Sequence, residues 1–249
     1  MSGHSKWSTI KRQKGTADIK RGQAFTKLAN VITIAVKAGG SGDPGANPRL
    51  RTVLEEAKAL NMPKDNIQRA IDRGLGVGKE AFEEVVYEGF GPGKVAFYLE
   101  GITDNKLRTL QEIKSLFERS GGSLGGSGST VYMFDKKGVI KVKSKKEKEE
   151  DMLTLIDLEA EDVEDYLEDN IQKYLVYTEG NKIAEVSTKI TQAGFGVESA
   201  EIVMKPNILQ KIETAKKVLD FAGKLEEMDD IQKVYSNMDI SDEILNLNT

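Results

Sequence analysis

The residues best equipped for chemistry in this 249-residue chain are cations near its start. Lys6, Lys11, Arg12, Lys14, Lys20, Arg21 and Lys27 crowd the opening segment, with Trp7 among them. Lys and Arg bring charge and N–H donors to phosphate oxygens, and an indole can stack on a base. Arg49 and Arg51 open a second apolar-periodic segment, and Lys64, Arg69 and Arg73 belong to a third. Arg69 and Arg73 are four apart, so on a helix they share a face, turned away from Ile67 and Ile71. Together these residues are the candidate nucleic-acid-binding set. The competing reading is a solvated helical surface with Trp7 packed against it.

Other chemistries find little support. The chain has no Cys and one His, His4. That excludes a disulfide framework, a thiolate zinc site, a cysteine nucleophile and a two-His metal site. A Ser-His-Asp triad would depend on His4, near the N-terminus. Three Gly-rich stretches invite a phosphate-cradle reading. Gly121 to Gly128 follows a helix and precedes a strand, the reverse of a P-loop, and no Lys-Ser/Thr pair closes it. Gly89 to Gly93 reads as a hairpin connection, and Gly39 to Gly45 links two helices; turn geometry explains all three. Residues 147–170 hold 12 Asp+Glu against Lys148 alone, without the Asp-x-Asp-x-Asp-Gly spacing of a calcium loop. This acidic stretch reads as a solvated face that repels nucleic acid or docks a protein partner. No cofactor and no metal are expected.

Charge is segregated along the chain. Residues 1–79 carry 15 Lys+Arg and 6 Asp+Glu, a net of +9, whereas 80–249 carry 21 and 34, a net of −13. A basic module on an acidic body suits a polyanion partner. No apolar run approaches the roughly 18 residues that span a bilayer, and Met1 to Trp7 has no signal-like apolar core, so a cytoplasmic, non-membrane protein is expected.

The elements that position these residues follow from periodicity. Ser2 to Gly22 reads as a polar arm, helical only weakly. Phe25, Leu28, Ala29, Ile32 and Val36 predict a helix over 24–38, and Leu50, Val53, Leu54, Ala57 and Leu60 a second. A third follows Pro63, with Gly74 at its C′ position. Strands are predicted over Val85 to Phe90 and around Val95 to Leu99. A helix capped by Thr103 or Asp104 comes next, then a strand over Thr130 to Phe134. Residues 135–206 read β-α-β-β-α-β, a ferredoxin-like unit. A helix over 207–227 and a strand over Ile231 to Met238 are left over. A lone helix and strand cannot enclose a core, so they complete the sheet begun at residue 80. The expected architecture is α+β: a three-helix domain over 1–79, a discontinuous α/β sandwich over 80–134 with 207–249, and an inserted ferredoxin-like domain over 135–206.

Several motifs carry a resemblance. Gly3-His4-Ser5-Lys6-Trp7, Ile10-Lys11, Lys20-Arg21-Gly22, Phe25-Thr26-Lys27-Leu28, Asn47-Pro48-Arg49-Leu50-Arg51 and Asn61-Met62-Pro63-Lys64-Asp65-Asn66-Ile67 occur in order. Tyr87-Glu88-Gly89-Phe90-Gly91-Pro92-Gly93 and Thr103-Asp104-Asn105 follow them. The chain resembles the YebC/PmpR family over nearly its whole length. The resemblance implies three domains, the third inserted in the second, and a DNA-binding transcriptional regulator. A related mitochondrial protein is a translational activator, and bacterial relatives are linked to the ribosome. No catalytic residues carry over. The expected function is therefore a non-enzymatic regulator acting on DNA, with a ribosomal-RNA-binding translation factor as the alternative. A phosphate-processing enzyme and a protein scaffold are weaker rivals.

Overall fold

The computed structural model describes residues 17–77, 82–145, 147–168, 171–212 and 215–239, the side chains of 17–20 and 215 excepted. Its first helix, α1, spans Ala17–Gly39 and begins earlier than apolar spacing predicts. The apolar stripe marks only the part that packs, whereas the helix continues before it through residues such as Ala17, Lys20, Arg21, Gln23 and Ala24, which favour helix without contributing to the stripe. Helix α2 (Pro48–Ala59) starts on Pro48, and the buried Asn47 caps it by accepting the Leu50 N–H. The Asn47 amide also donates to the Ala35 and Ser41 carbonyls, so one side chain fixes both the cap and the loop. Helix α3 (Lys64–Gly74) follows Pro63. Leu28, Ile32, Ala35 and Val36 of α1 form one core with Leu50, Val53 and Ala57 of α2 and Ala70 of α3. Gly74 is the last helical residue rather than a C′ cap. A Cβ there would lie 2.7 Å from the Thr33 carbonyl oxygen, so close α1–α3 packing requires the glycine.

Strands β1 (Glu83–Phe90) and β2 (Ala96–Thr103) form an antiparallel hairpin. Helix α4 (Lys106–Arg119) is capped by Asn105, not by Thr103 or Asp104. The Thr103 hydroxyl is engaged elsewhere, with Thr109 and the Asp230 carboxylate. The short strand β3 (Ser123–Leu124) lies inside the Gly-rich stretch. The strand expected over Thr130 to Phe134 is instead a 3-10 turn, Val131–Met133. Thr130 is held by Glu88 and by the Phe97 carbonyl, which bends the chain away from a ladder.

Strand β4 (Phe134–Lys143), helix α5 (Lys148–Asp157), strands β5 (Asp162–Glu168) and β6 (Ile171–Glu179), helix α6 (Ile183–Gln192) and strand β7 (Gly196–Pro206) follow. Their antiparallel sheet has the order β5-β6-β4-β7, which places the first and third strands of the β-α-β-β-α-β unit at its centre. Ile140, Val142, Tyr174 and Val176 pack beneath Leu155, Val186 and Ile190.

The predicted helix over 207–227 is shorter. Strand β8 (Gln210–Lys211) precedes helix α7 (Ala215–Glu226), because β8 pairs in parallel with β10 (Met238–Asp239). Strand β9 (Ile231–Ser236) joins β2, giving the sheet β3-β1-β2-β9. Helices α4 and α7 cover one face of it, and Phe97, Phe117 and Phe221 meet there edge to face at centroid distances of 4.8–6.3 Å. The fold is α+β. Among the described residues no helix is long and apolar enough to cross a membrane.

Candidate nucleic-acid interface

The candidate cations divide by what the fold does with them. Arg51, Lys64 and Arg69 lie exposed on α2 and α3 and make no ion pair among the described residues. Arg69 bonds the Asn66 side chain and the Asp65 carbonyl, which orients its guanidinium without neutralising it. Arg21 is exposed on α1, its guanidinium carbon 5.7 Å from the centre of the Phe25 ring, within cation–π range.

Three other candidates turn toward the first sheet, Arg49 from an exposed position. Lys27 donates to the Glu226 carbonyl at 2.5 Å, at the C-terminal end of α7, where a cation is favoured by the helix dipole. Gln23 reaches the Glu227 carbonyl beside it at 3.3 Å. Arg49 pairs with Glu84 of β1 at 2.5 Å. Arg73 sits half-buried 5.3 Å over Phe82, whose ring is buried against Ile34 and Ile102 and whose carbonyl accepts a bond from Lys37. Lys27, Arg49 and Arg73 thus dock the helical unit onto β1, β2 and α7. Phe82 is the apolar centre of that joint, and apolar periodicity gives no reason to single it out. Lys6, Trp7, Lys11, Arg12 and Lys14 lie outside the described residues, as does the side chain of Lys20.

The acidic stretch is less bare than its sequence reads. Lysines from neighbouring elements pair with it: Lys189 with Glu159, Lys137 with Glu161, Lys205 with Asp162 and Glu164, Lys148 with Asp165, and Lys173 with Glu168. Lys173 is itself buried, and burial alone would favour its neutral form, but Glu168 and Glu198 raise its pKa. Asp151 is buried and accepts bonds from Ser144, Tyr174 and the Lys145 N–H. Glu147, Glu149 and Asp157 remain exposed. No group of three or more His, Cys, Asp or Glu residues suited to a metal ion occurs among the described residues.

Glu88 is an organising residue that pattern reading passes over. Glu88 is 4% exposed, and its carboxylate accepts the backbone N–H groups of Gly128, Thr130 and Val131 at 2.7–2.8 Å. Burial pushes its pKa up, but these donors outweigh burial and leave it below the ordinary carboxylate value. The Gly-rich stretch is therefore held by a buried anion. The available signal was a Glu in the alternation of β1 just before a second Gly-rich run.

These features define a class: a three-part α+β protein in which a cationic helical unit is docked on one sheet and followed by a second, ferredoxin-like sheet. Residues 5–77 match the TACO1/YebC protein N-terminal domain, and residues 82–238 match the TACO1/YebC second and third domain. The chain belongs to the TACO1/YebC family. Proteins from Rubrobacter xylanophilus and Geobacter sulfurreducens, each named a probable transcriptional regulatory protein, are 46% identical to it, with 98% of each chain covered. The crystal structure of a conserved hypothetical protein from Aquifex aeolicus is similar at a TM-score of 0.79 and 40% identity, over 93% of this chain and 96% of that one.

Proposed function

We propose that this protein is a cytoplasmic, non-enzymatic regulator of gene expression that binds nucleic acid, with DNA as its target, through its helical unit. One observation carries the reading. Arg21, Arg51, Lys64 and Arg69 project from that unit with no ion pair among the described residues, whereas the sheets behind it pair their cations extensively with Asp and Glu. Residues 1–79 carry a net +9, a balance that suits a polyanion partner, and the names of the relatives agree with a regulator. Lys6, Trp7, Lys11, Arg12, Lys14 and Lys20 extend the proposed surface, while Lys27, Arg49 and Arg73 serve it by fixing the helical unit in place.

A ribosomal-RNA target is the second reading. On α3 the groups that could read base edges are engaged within the helix, Gln68 with Asp72 and Arg69 with Asn66. That favours backbone and shape recognition, which structured RNA rewards. We further propose the domain division 1–79, 80–134 with 207–249, and 135–206, supported by β9 lying in the sheet of β1 and β2. The deciding experiment is competition on the full chain. Bound DNA duplex is challenged with random duplex and with intact ribosomes at equal phosphate concentration. Resistance to a thousandfold excess of random duplex supports specific DNA readout. Displacement by ribosomes far below the duplex level replaces DNA with ribosomal RNA.

A further inference from the structure

Helix α1 contains a glycine that its own fold does not explain. Gly22 is the sixth residue of α1 and is exposed. Glycine is the poorest helix former after proline, so an interior helical glycine asks for a reason. At Gly39 and Gly74 the reason is steric: a Cβ would strike Asn47 in one case, and Val36 and the Thr33 carbonyl in the other. At Gly22 a Cβ meets no heavy atom of the described residues within 4 Å, and φ is not in the left-handed range. Among the described residues neither packing nor backbone geometry demands glycine there. Helix α7 repeats the oddity: Gly223 also has open space at its Cβ position. It lies one turn before Glu227, whose carbonyl accepts the bond from Gln23, the residue next to Gly22. The two unexplained glycines thus sit on two helices that meet, each within about a turn of the meeting point.

The surroundings say what would use a bare helix surface. Arg21 adjoins Gly22, its guanidinium set over Phe25 one turn on. Thr26, exposed one turn from Gly22, bonds the Gly22 carbonyl at 3.3 Å. The first 37 residues hold 8 Lys+Arg against Asp18 alone. A missing side chain flanked by an oriented cation lets a polyanion backbone lie against the helix itself, as glycine does wherever another chain must come close. We propose that Gly22 is the point of closest approach for the sugar–phosphate backbone of bound nucleic acid, with Arg21 as the adjacent phosphate ligand. The inference rests on the nucleic-acid reading above and adds the place and mode of contact.

The two claims fail differently. The full-length protein and its Gly22→Ala, Gly22→Leu and Ser115→Ala variants are titrated into a fluorescent 20-base-pair duplex and, separately, an RNA hairpin, and each is melted. Gly22→Ala should raise Tm by about 2–4 °C, as removal of a helical glycine does when nothing else is disturbed. It should weaken binding about threefold, and the larger Gly22→Leu at least about tenfold, because the loss follows side-chain volume. Ser115→Ala, on the exposed face of α4, should leave affinity unchanged. Equal affinity across the Gly22 series overturns the inference and leaves the nucleic-acid reading standing. A fall in Tm for Gly22→Ala overturns it too, since the fold would then need the glycine. Equal losses for Ala and Leu would assign Gly22 to helix bending rather than close approach. If the unaltered protein binds neither probe, the functional reading fails and this inference with it.

Discussion

Replacing Glu88 by Gln tests whether a buried carboxylate holds the Gly-rich stretch. Oε2 accepts the Thr130 and Val131 N–H groups at 2.7 and 2.8 Å, and Oε1 accepts that of Gly128 at 2.8 Å. A carboxamide has one acceptor oxygen and two donors, so at best two of these bonds survive and an NH₂ group faces the remaining N–H. Leaving one buried donor unsatisfied costs about 1–3 kcal/mol, and bonds to a charged acceptor contribute about 1.5–3 kcal/mol each. The expected loss is about 2–4 kcal/mol, or roughly 5–12 °C in Tm for a chain of this size. The pH dependence has a definite sign. The folded pKa of Glu88 is lowered, so its contribution is complete above the ordinary carboxylate value near 4.3 and fades as pH falls through the lower folded value. Thermal melts of both proteins from pH 7 to pH 3, followed by circular dichroism, should show the gap between them narrowing below about pH 4. Amide exchange at Gly128, whose N–H is left facing the NH₂ group, should accelerate in the variant. A variant within about 0.5 kcal/mol of the parent at pH 7, or a gap that widens in acid, refutes the carboxylate anchor.

Three further outcomes follow from the same geometry. Substituting Arg51, Lys64 and Arg69 together by Ala should weaken every duplex alike and lower the slope of log affinity against log salt by roughly 2–3, about 0.9 per lost phosphate contact; an unchanged slope would remove these residues from the interface. Phe82→Ala should cost about 3–5 kcal/mol, because the ring fills the joint with Ile34 and Ile102 beneath Arg73, and chemical denaturation should then separate the unfolding of the helical unit from that of the first sheet; a single unshifted transition would show the joint to be unimportant. Excising 135–206 and rejoining the ends should leave a cooperative transition, since the Asn207 N–H bonds the Met133 carbonyl at 2.9 Å and the cut ends already adjoin, whereas deleting 207–249 should abolish folding of the first sheet; a folded 207–249 deletion would contradict the nested division.

Local chemistry determined a good deal of this protein from sequence alone. Apolar spacing marks the packed parts of α1, α2 and α3, alternation marks β1 and β2, and the β-α-β-β-α-β order of 135–206 is written in its periodicities, because each depends on neighbours a few residues away. The charge division is a property of composition and needs no fold. What depends on distant partners was hidden. The 3-10 turn at Val131–Met133 exists because Glu88, about forty residues earlier, holds Thr130 and Val131. The cap of α4 moved to Asn105 because Asp230 engages Thr103. Lys27, Arg49 and Arg73 look like their neighbours Arg21, Arg51 and Arg69 in sequence, and only the docking of α1–α3 on β1, β2 and α7 engages the first three with the sheet. The acids of 147–170 read as a naked run because the lysines that pair with them come mostly from other strands and helices. Sequence spacing sets which face of its own element a charge occupies. Whether that face meets water, a counter-charge or a ring is decided when elements far apart in the chain come together.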